Sequence, residues 1–434
     1  MIFGFGKKNV EEDFEEEEIE LVLFQGAVNG KKANLAANAR LIEAGLIPAK
    51  ELVTDGLMRR SDLIRIDPKG DRCGVVLSVD GINYPGGRLA KQRGLAVTQT
   101  LKLLAGLDTK QRRKAQSGGI ISEYRDKQYE IGVDSSPVQG GERLVLRLRQ
   151  VEGGVETPEE IGMGEDLRQK IRELTSNKSG LVLACGAPRS GLTTTAIGIM
   201  RGVDAYRYNI YTLGNIGRQK FANVTPFEPE EGDDLNMTFD RCIRVEADVI
   251  FYEAIRDPDI AKLVFEKQRK TTIVSELSAR DAASGIEKLV EWVGDPKVVA
   301  EGLRGMIGQK LIRVLCPACR EAYRPNPKLL SQVGLSKTTK MLYHKPAPYE
   351  PVKGEEEPSP CRKCGDLGYF GRTGAFELIE MTDAMRELVS RGAKADEIKA
   401  LAREEGMINI QQDGVRLVGE GKTSLEELKR SFRK

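Results

Sequence analysis

Two constellations in this chain have residue types and spacings that could do chemistry. The first is GLVLACGAPRSGLTTT, Gly180 to Thr195. Leu181 to Cys185 is a short apolar run that predicts a strand buried on both faces. Gly186 to Gly191 is a glycine-bounded turn, and three threonines then open a helix. Strand, glycine loop and helix cradle phosphate because glycines let backbone amides approach an anion and the helix amino terminus carries partial positive charge. The spacing Gly-x-x-x-x-Gly-x-Thr makes Gly186, Arg189, Ser190, Gly191, Leu192, Thr193 and Thr194 the candidate nucleotide-binding residues. Leu192 stands where such a loop carries its lysine. Leucine offers neither a donor nor a charge, and one charge-assisted hydrogen bond is worth roughly 1.5 to 3 kcal/mol, or tenfold to a hundredfold in affinity. Arg189 is the nearest substitute cation in the loop. A glycine turn that binds nothing fits the same residues.

The second constellation is Cys316 and Cys319 in CPAC with Cys361 and Cys364 in CRKC. Four thiolates in two Cys-x-x-Cys pairs match a closed, tetrahedral, structural zinc site with no open position for catalysis; free thiols or an iron centre are the alternatives. The chain has seven cysteines and one histidine, His344, which disfavours disulfides and histidine-based catalysis alike. Cys73, Cys185 and Cys242 lie in apolar stretches and are expected in the core.

These residues need a scaffold, and 434 residues suffice for two or three domains. Charge is nearly balanced, 67 Lys plus Arg against 65 Asp plus Glu, which gives no argument for a nucleic-acid partner. No apolar run reaches membrane-spanning length, and MIFGFGKKN lacks the features of a signal peptide, so a cytoplasmic protein is expected. Residues 1–30, with EEDFEEEEIE from Glu11 to Glu20, read as an acidic, partly disordered segment, or as an acidic docking arm.

Residues 31–150 read as a mixed α+β domain. Lys31 to Arg60 predicts two short helices broken at Pro48, and strands turn near Pro68 to Gly70 and at Asp80–Gly81. A helix follows over Leu95 to Leu107 and further strands over Ile120 to Leu148. A linker spans 151–160 and an α/β core with a parallel sheet spans 161–311. Its further strands are expected at Asn209 to Leu213, Asp248 to Tyr252 and Thr271 to Glu276. A carboxylate at the end of such a strand beside a phosphate loop is placed to hold magnesium or activate water, and Glu253 is the candidate, with Asp248 at the strand's start. The zinc module takes 312–380, and charged helices with apolar stripes take 381–434.

Taken together, the phosphate loop, IRD at Ile255 to Asp257, LIRVLCPAC at Leu311 to Cys319 and GYFGRTGAFEL at Gly368 to Leu378 resemble the hexameric secretion ATPases of type II secretion and type IV pilus assembly. RSDLIRIDP (Arg60 to Pro68), KLLAGLD (Lys102 to Asp108), GERLVLRL (Gly141 to Leu148) and the stretch from Glu404 to Leu428 extend the likeness colinearly. The resemblance implies a small mixed domain, a RecA-like P-loop motor domain carrying a four-cysteine zinc module, and nucleotide between the two domains. It also implies six subunits in a ring, homomeric or mixed with related ATPases, pushing on an inner-membrane platform protein. The chain would then be cytoplasmic or peripheral to that membrane.

The departures lie in the chemistry. Besides Leu192, the acidic box after Leu213 reads Gly214, Asn215, Ile216, and Glu253 comes one residue before the family's Gly-Glu would place it. Ser278 stands where the family has histidine, and Gly132 and Ser78 stand where its first domain offers arginines. General acid–base help is worth roughly a hundredfold to ten-thousandfold, so these losses together predict a pseudo-ATPase acting as a structural or regulatory subunit, with ATP and magnesium binding weakened. The alternatives are an active hexameric ATPase in which Arg189 replaces the lysine and Thr193 holds magnesium, and a scaffold that binds no nucleotide.

Overall fold

In the computed structural model the described residues are 20–151, 157–177, 179–188, 190–214, 221–349 and 359–432. Most of the acidic segment and Arg189, Asn215 and Ile216 lie outside them. The chain divides into two compact units at Gly154.

Alternating apolar residues build the first unit. Strands β1 (Leu23–Ala27), β2 (Ser61–Lys69), β3 (Arg72–Val79), β4 (Ile82–Ala90), β5 (Gln116–Tyr124), β6 (Lys127–Val138) and β7 (Gly141–Gln150) form one antiparallel sheet in the order β1-β5-β6-β7-β2-β3-β4. One residue in two, such as Ile64, Ile66, Leu144 and Leu146, points to a core completed by helices α1 (Ala39–Met58) and α2 (Lys91–Leu104). The turn at Asp80 and Gly81 has positive φ at both residues, as a tight hairpin demands.

Helix α1 corrects an expectation, because it runs unbroken through Pro48. An interior proline costs about 3 kcal/mol or more. Burial of Gly45, Ala49, Val53 and Gly56 on the inner face offsets it. At Gly45 the two helices approach so closely that a Cβ would lie 2.2 Å from Thr100 Oγ1.

The second unit carries the candidate sites. Its sheet has the order β10-β9-β11-β12-β8-β13-β16, formed by β8 (Gly180–Gly186), β9 (Ile210–Leu213), β10 (Val224–Pro226), β11 (Val249–Tyr252), β12 (Thr272–Ser278), β13 (Leu303–Leu315) and β16 (Tyr369–Glu380). All neighbours are parallel except β13 and β16. Strand β8 is buried at every residue, as its unbroken apolar run predicts.

Helices α3 (Glu165–Thr175) and α4 (Leu192–Arg201) cover one face. The other face takes α5 (Leu235–Arg244), α6 (Pro258–Lys267), α7 (Ala282–Val293), α8 (Pro296–Gly302), α10 (Asp383–Ser390) and α11 (Ala395–Glu404). A small two-stranded sheet, β14 (Glu321–Tyr323) with β15 (Leu342–His344), and helix α9 (Pro327–Val333) lie in sequence between β13 and β16. Helices α12 (Ile410–Gly419) and α13 (Leu425–Phe432) pack back onto the β13–β16 pair, where Ile312, Ala375 and Leu417 meet. Cys73, Cys185 and Cys242 are buried, and burial pushes the thiols of Cys185 and Cys242 up to about 12.

One carboxylate ties the helical layer together. Asp281 caps α7 by accepting the Ser284 amide at 2.9 Å and pairs with Lys399 of α11 at 2.7 Å. Burial opposes its ionisation, but Lys399, Ser284 and Arg280 outweigh that and hold its carboxyl at about 2 instead of the usual 3.8. A shift of that size is worth on the order of 2 kcal/mol. Because the folded value is depressed, this stability is complete above the unfolded value and vanishes as pH falls through about 2. Asp281→Asn keeps a good helix cap but loses the charge. In urea unfolding it is expected to trail the native chain by about 2 kcal/mol at pH 7, and the gap should close at pH 2.

Candidate functional site

The phosphate loop sits where the fold demands it, at the carboxyl end of the central strand β8 and the amino terminus of α4. Gly191 caps the helix in the left-handed region, φ +86°, which a residue with a Cβ enters only with strain. A Cβ at Gly186 would lie 2.8 Å from Ser190 Oγ and 3.1 Å from the Gln309 carbonyl, so glycine is needed for the close approach. The two bounding glycines thus stand at positions that only glycine fits without strain. Ser190, Thr193 and Thr194 line its start, with Thr193 and Thr194 exposed.

The Leu192 side chain is buried against the loop's first glycine, with its Cδ2 3.3 Å from where a Cβ at Gly186 would be. It is 7% exposed and packs in the cluster of Ile161, Val182, Ala184, Ala196 and Ile307 beneath α4. The position of the missing lysine has thus become a core position, and the apolar side chain contributes burial in exchange for the lost charge.

A residue far away in sequence holds the loop in place. Gln309 on β13 donates through Nε2 to the Ser190 carbonyl at 2.6 Å, and its Oε1 accepts from the Thr195 hydroxyl. Gln309 is itself buried, and nothing in the local sequence marks it as part of the loop. Beside it, on the face away from α4, a cavity of about 530 Å³ is lined by Ser190, Lys310, Asp281, Glu377, Lys399 and Ile410.

A carboxylate flanks β11 at each end. Strand β11 ends at Tyr252, and Glu253 follows it, with its Cγ 2.9 Å from where a Cβ at Gly214 would be. Arg256 pairs with Glu253 at 3.6 Å. Asp248 lies at the opposite end of the strand, where its carboxylate accepts the Asn209 amide at 2.8 Å, so it caps the β9 start instead of facing the loop.

The carboxylate that meets the loop is Glu276. Register pairs Glu276 of β12 with Ala184 of β8, on the face that packs against α4, where Thr193 at the start of that helix lies beside it. Burial raises its pKa, while Thr193 and Arg256 lower it and Glu253 raises it further. Its Oε2 is buried without a hydrogen-bond partner among the described residues. The signal for it was visible as a single carboxylate inside the apolar run TIVSELS. Ser278 is two residues beyond it, at the level of Gly186.

In the first unit, register places Arg147 of β7 directly opposite Gly132 on β6, and Arg147 pairs with Asp134. Ser78 is buried within β3.

The second constellation closes as expected. Cys316 follows β13, and Cys361 and Cys364 precede β16, so the last rung of that pair, Leu315 with Tyr369, brings the two halves together. The Cys316 amide donates to the Gly368 carbonyl at 3.0 Å. Sulfur–sulfur distances are 3.9 Å for Cys316 with Cys361 and 3.5 Å for Cys319 with Cys364, and all four sulfurs lie within 4.8 Å of one another. Tetrahedral thiolates about 2.3 Å from a metal would be roughly 3.8 Å apart, so the four could hold a metal ion. Backbone amides of Cys364 and Lys363 hold the Cys361 thiol down at about 7, whereas burial raises the thiols of Cys319 and Cys364.

With this geometry in view, comparison with known proteins separates fold from function. The chain is 27% identical over 390 residues to the type IV pilus assembly ATPase PilB of Thermus thermophilus, covering 87% of this chain and 42% of that protein. It is 27% identical over 387 residues to type II secretion system protein E of Pseudomonas aeruginosa, covering 88% of this chain and 74% of that one. The chain thus spans less than half the length of the first of these relatives and about three quarters of the second. Among solved structures, the Legionella pneumophila ATPase DotB superposes with a TM-score of 0.57 at 14% identity, covering 89% of this chain and 95% of DotB. The pilus retraction motor PilT with bound ADP superposes at 0.52 and 16% identity, covering 88% and 96%. These two likenesses establish the fold, an α/β domain with a parallel sheet that follows a smaller α+β domain in sequence. The profile of the family described as "Type II/IV secretion system protein" matches residues 39–430, and the chain belongs to that family.

Proposed function

We propose that this chain is a pseudo-ATPase of the secretion and pilus motors: a structural or regulatory subunit that keeps the fold of an ATPase and has lost its hydrolysis. The observation that carries this reading is Leu192. Its side chain is buried beneath α4, so among the described residues of the loop none presents a cation at the position where charge builds up on the outer phosphates. The strand-end carboxylate Glu253 is paired with Arg256, and Ser278 offers no imidazole.

The parts that build a ring subunit are retained. They include the four-cysteine cluster, which we assign to structural zinc on its all-thiolate donor set, and the long β13–β16 pair that carries it. The subunit would join related ATPases in a homomeric or mixed hexamer facing an inner-membrane platform protein, on the cytoplasmic side. Among the described residues no helix is long and apolar enough to cross a membrane.

Calorimetric titration of the full, zinc-loaded chain with magnesium and a non-hydrolysable ATP analogue tests the reading. No heat of binding is expected up to millimolar ligand. Micromolar binding would contradict it and would make Arg189 the first residue to substitute.

A further inference from the structure

The loop's chemistry is altered at a second place, on a different strand. Glu276 belongs to β12, which lies beside β8 in parallel register, Glu276 against Ala184 and Ser278 against Gly186. Val274, two residues earlier, packs in the α4-side cluster with Val182, Ala184 and Leu192, whereas Ile273 and Leu277 pack on the opposite face. Alternation therefore sends the Glu276 carboxylate to the α4 side, one level below the loop. There it lies beside Thr193, the second residue of the helix, which favours its ionised form. Helix α4 has no acidic residue of its own in its first turn, and its cap residue Gly191 has no side chain, so Glu276 is the carboxylate that engages the start of this helix. Around it stand Thr193, Arg256 and Glu253, and Arg256 is already shared with Glu253.

A phosphate loop works by meeting an anion with amides, a hydroxyl and a helix terminus. Here the chain places its own carboxylate beside that hydroxyl. That carboxylate adds negative charge beside the place where phosphates must sit, and its other oxygen is buried without a hydrogen-bond partner among the described residues. We infer that Glu276 is a specificity-determining residue that excludes nucleotide phosphate from the loop, an internal anion in the place of the external one, so that two lesions, Leu192 and Glu276, act together. This rests on the reading of the loop as a lapsed nucleotide site.

The test uses four forms of the full chain: native, Leu192→Lys, Leu192→Lys with Glu276→Thr, and Leu192→Lys with Glu276→Gln. Each is titrated with a fluorescent ADP analogue plus magnesium, after thermal melting confirms that it is folded. Threonine removes the charge and the long acceptor. Glutamine keeps a carbonyl for Thr193 and removes only the charge. Both double variants are expected to bind at least tenfold more tightly than Leu192→Lys alone, a difference of about 1.4 kcal/mol. The gain should shrink as salt is raised, which a purely structural role would not produce.

Equal binding by Leu192→Lys and the double variants overturns the inference while leaving the pseudo-ATPase reading intact. Weaker binding by the double variants also overturns it and makes Glu276 a ligand for the magnesium. Tight binding by the native chain contradicts the pseudo-ATPase reading itself. Silence from all four overturns the inference and favours a scaffold that binds no nucleotide.

Discussion

Removing the metal from Cys316, Cys319, Cys361 and Cys364 is expected to unfold the segment between β13 and β16 while leaving the phosphate loop in place. Structural zinc contributes apparent folding free energy of about 10 to 16 kcal/mol in small zinc-binding peptides. This segment is similarly poor in core. Its apolar cluster comprises Leu330 and Leu342 with Val418 of α12, supplemented by partly buried neighbours such as Tyr323 and Leu335. The ends of the segment are joined by the Leu315–Tyr369 rung and the Cys316–Gly368 hydrogen bond. Without a metal, four thiols remain with sulfurs crowded within 4.8 Å of one another and nothing to hold them there. Dialysis against a strong chelator, or Cys316→Ser, should release one zinc per chain by elemental analysis. Fast amide exchange should then appear over residues 316–345, while β8 and α4 stay protected. Unchanged exchange in a chain shown to contain no zinc would remove the metal from this account.

The second large effect is expected in the first unit. Lys102 of α2 is fully buried, and Glu142 of β7, its ion-pair partner, is 3% exposed. Gln99 donates to Glu142 at 2.9 Å, Ser135 donates at 2.6 Å, and Lys102 donates also to the Gln111 carbonyl at 2.8 Å. The network pins the helix onto the sheet and onto the loop before β5. A buried pair adds little over a well-packed apolar pair, but removing one partner leaves the other charged and unpaired at a cost of about 3 to 5 kcal/mol. Glu142→Ala should therefore destabilise the first unit by that amount. Lys102→Met combined with Glu142→Leu should restore most of the loss, within about 1 to 2 kcal/mol of native. Denaturant unfolding followed by a probe placed in the first unit separates the two. A single variant no less stable than the double one would show that the pair is solvated in the native protein.

How far these sites could be read from the sequence depends on how local their determinants are. The strand, loop and helix around Gly186 and Gly191 were legible because apolar run, glycine spacing and threonines are contiguous. The cysteine cluster was legible because each pair reports itself within four residues, although 45 residues separate the pairs. Gln309 was not legible: it clamps a loop 119 residues away, and only the neighbouring position of β13 and β8 in the sheet brings it there. Glu276 carried a signal, a charge in an apolar strand, but its meaning depended on which strand lay beside β8. Pro48 misled because the local penalty was visible, whereas the close packing of Gly45 on α2 was not. For Glu253 the one-residue offset was legible, and in the fold it follows the last residue of β11, Tyr252.

The pseudo-ATPase reading is tested most directly by steady-state phosphate release from magnesium ATP by the full, zinc-loaded chain, compared with Thr193→Ala. A rate no higher than the buffer blank, and the same for both proteins, is expected. A rate above the blank that Thr193→Ala abolishes would contradict it, because hydrolysis would then be running through the loop that Leu192 and Glu276 are argued to have closed.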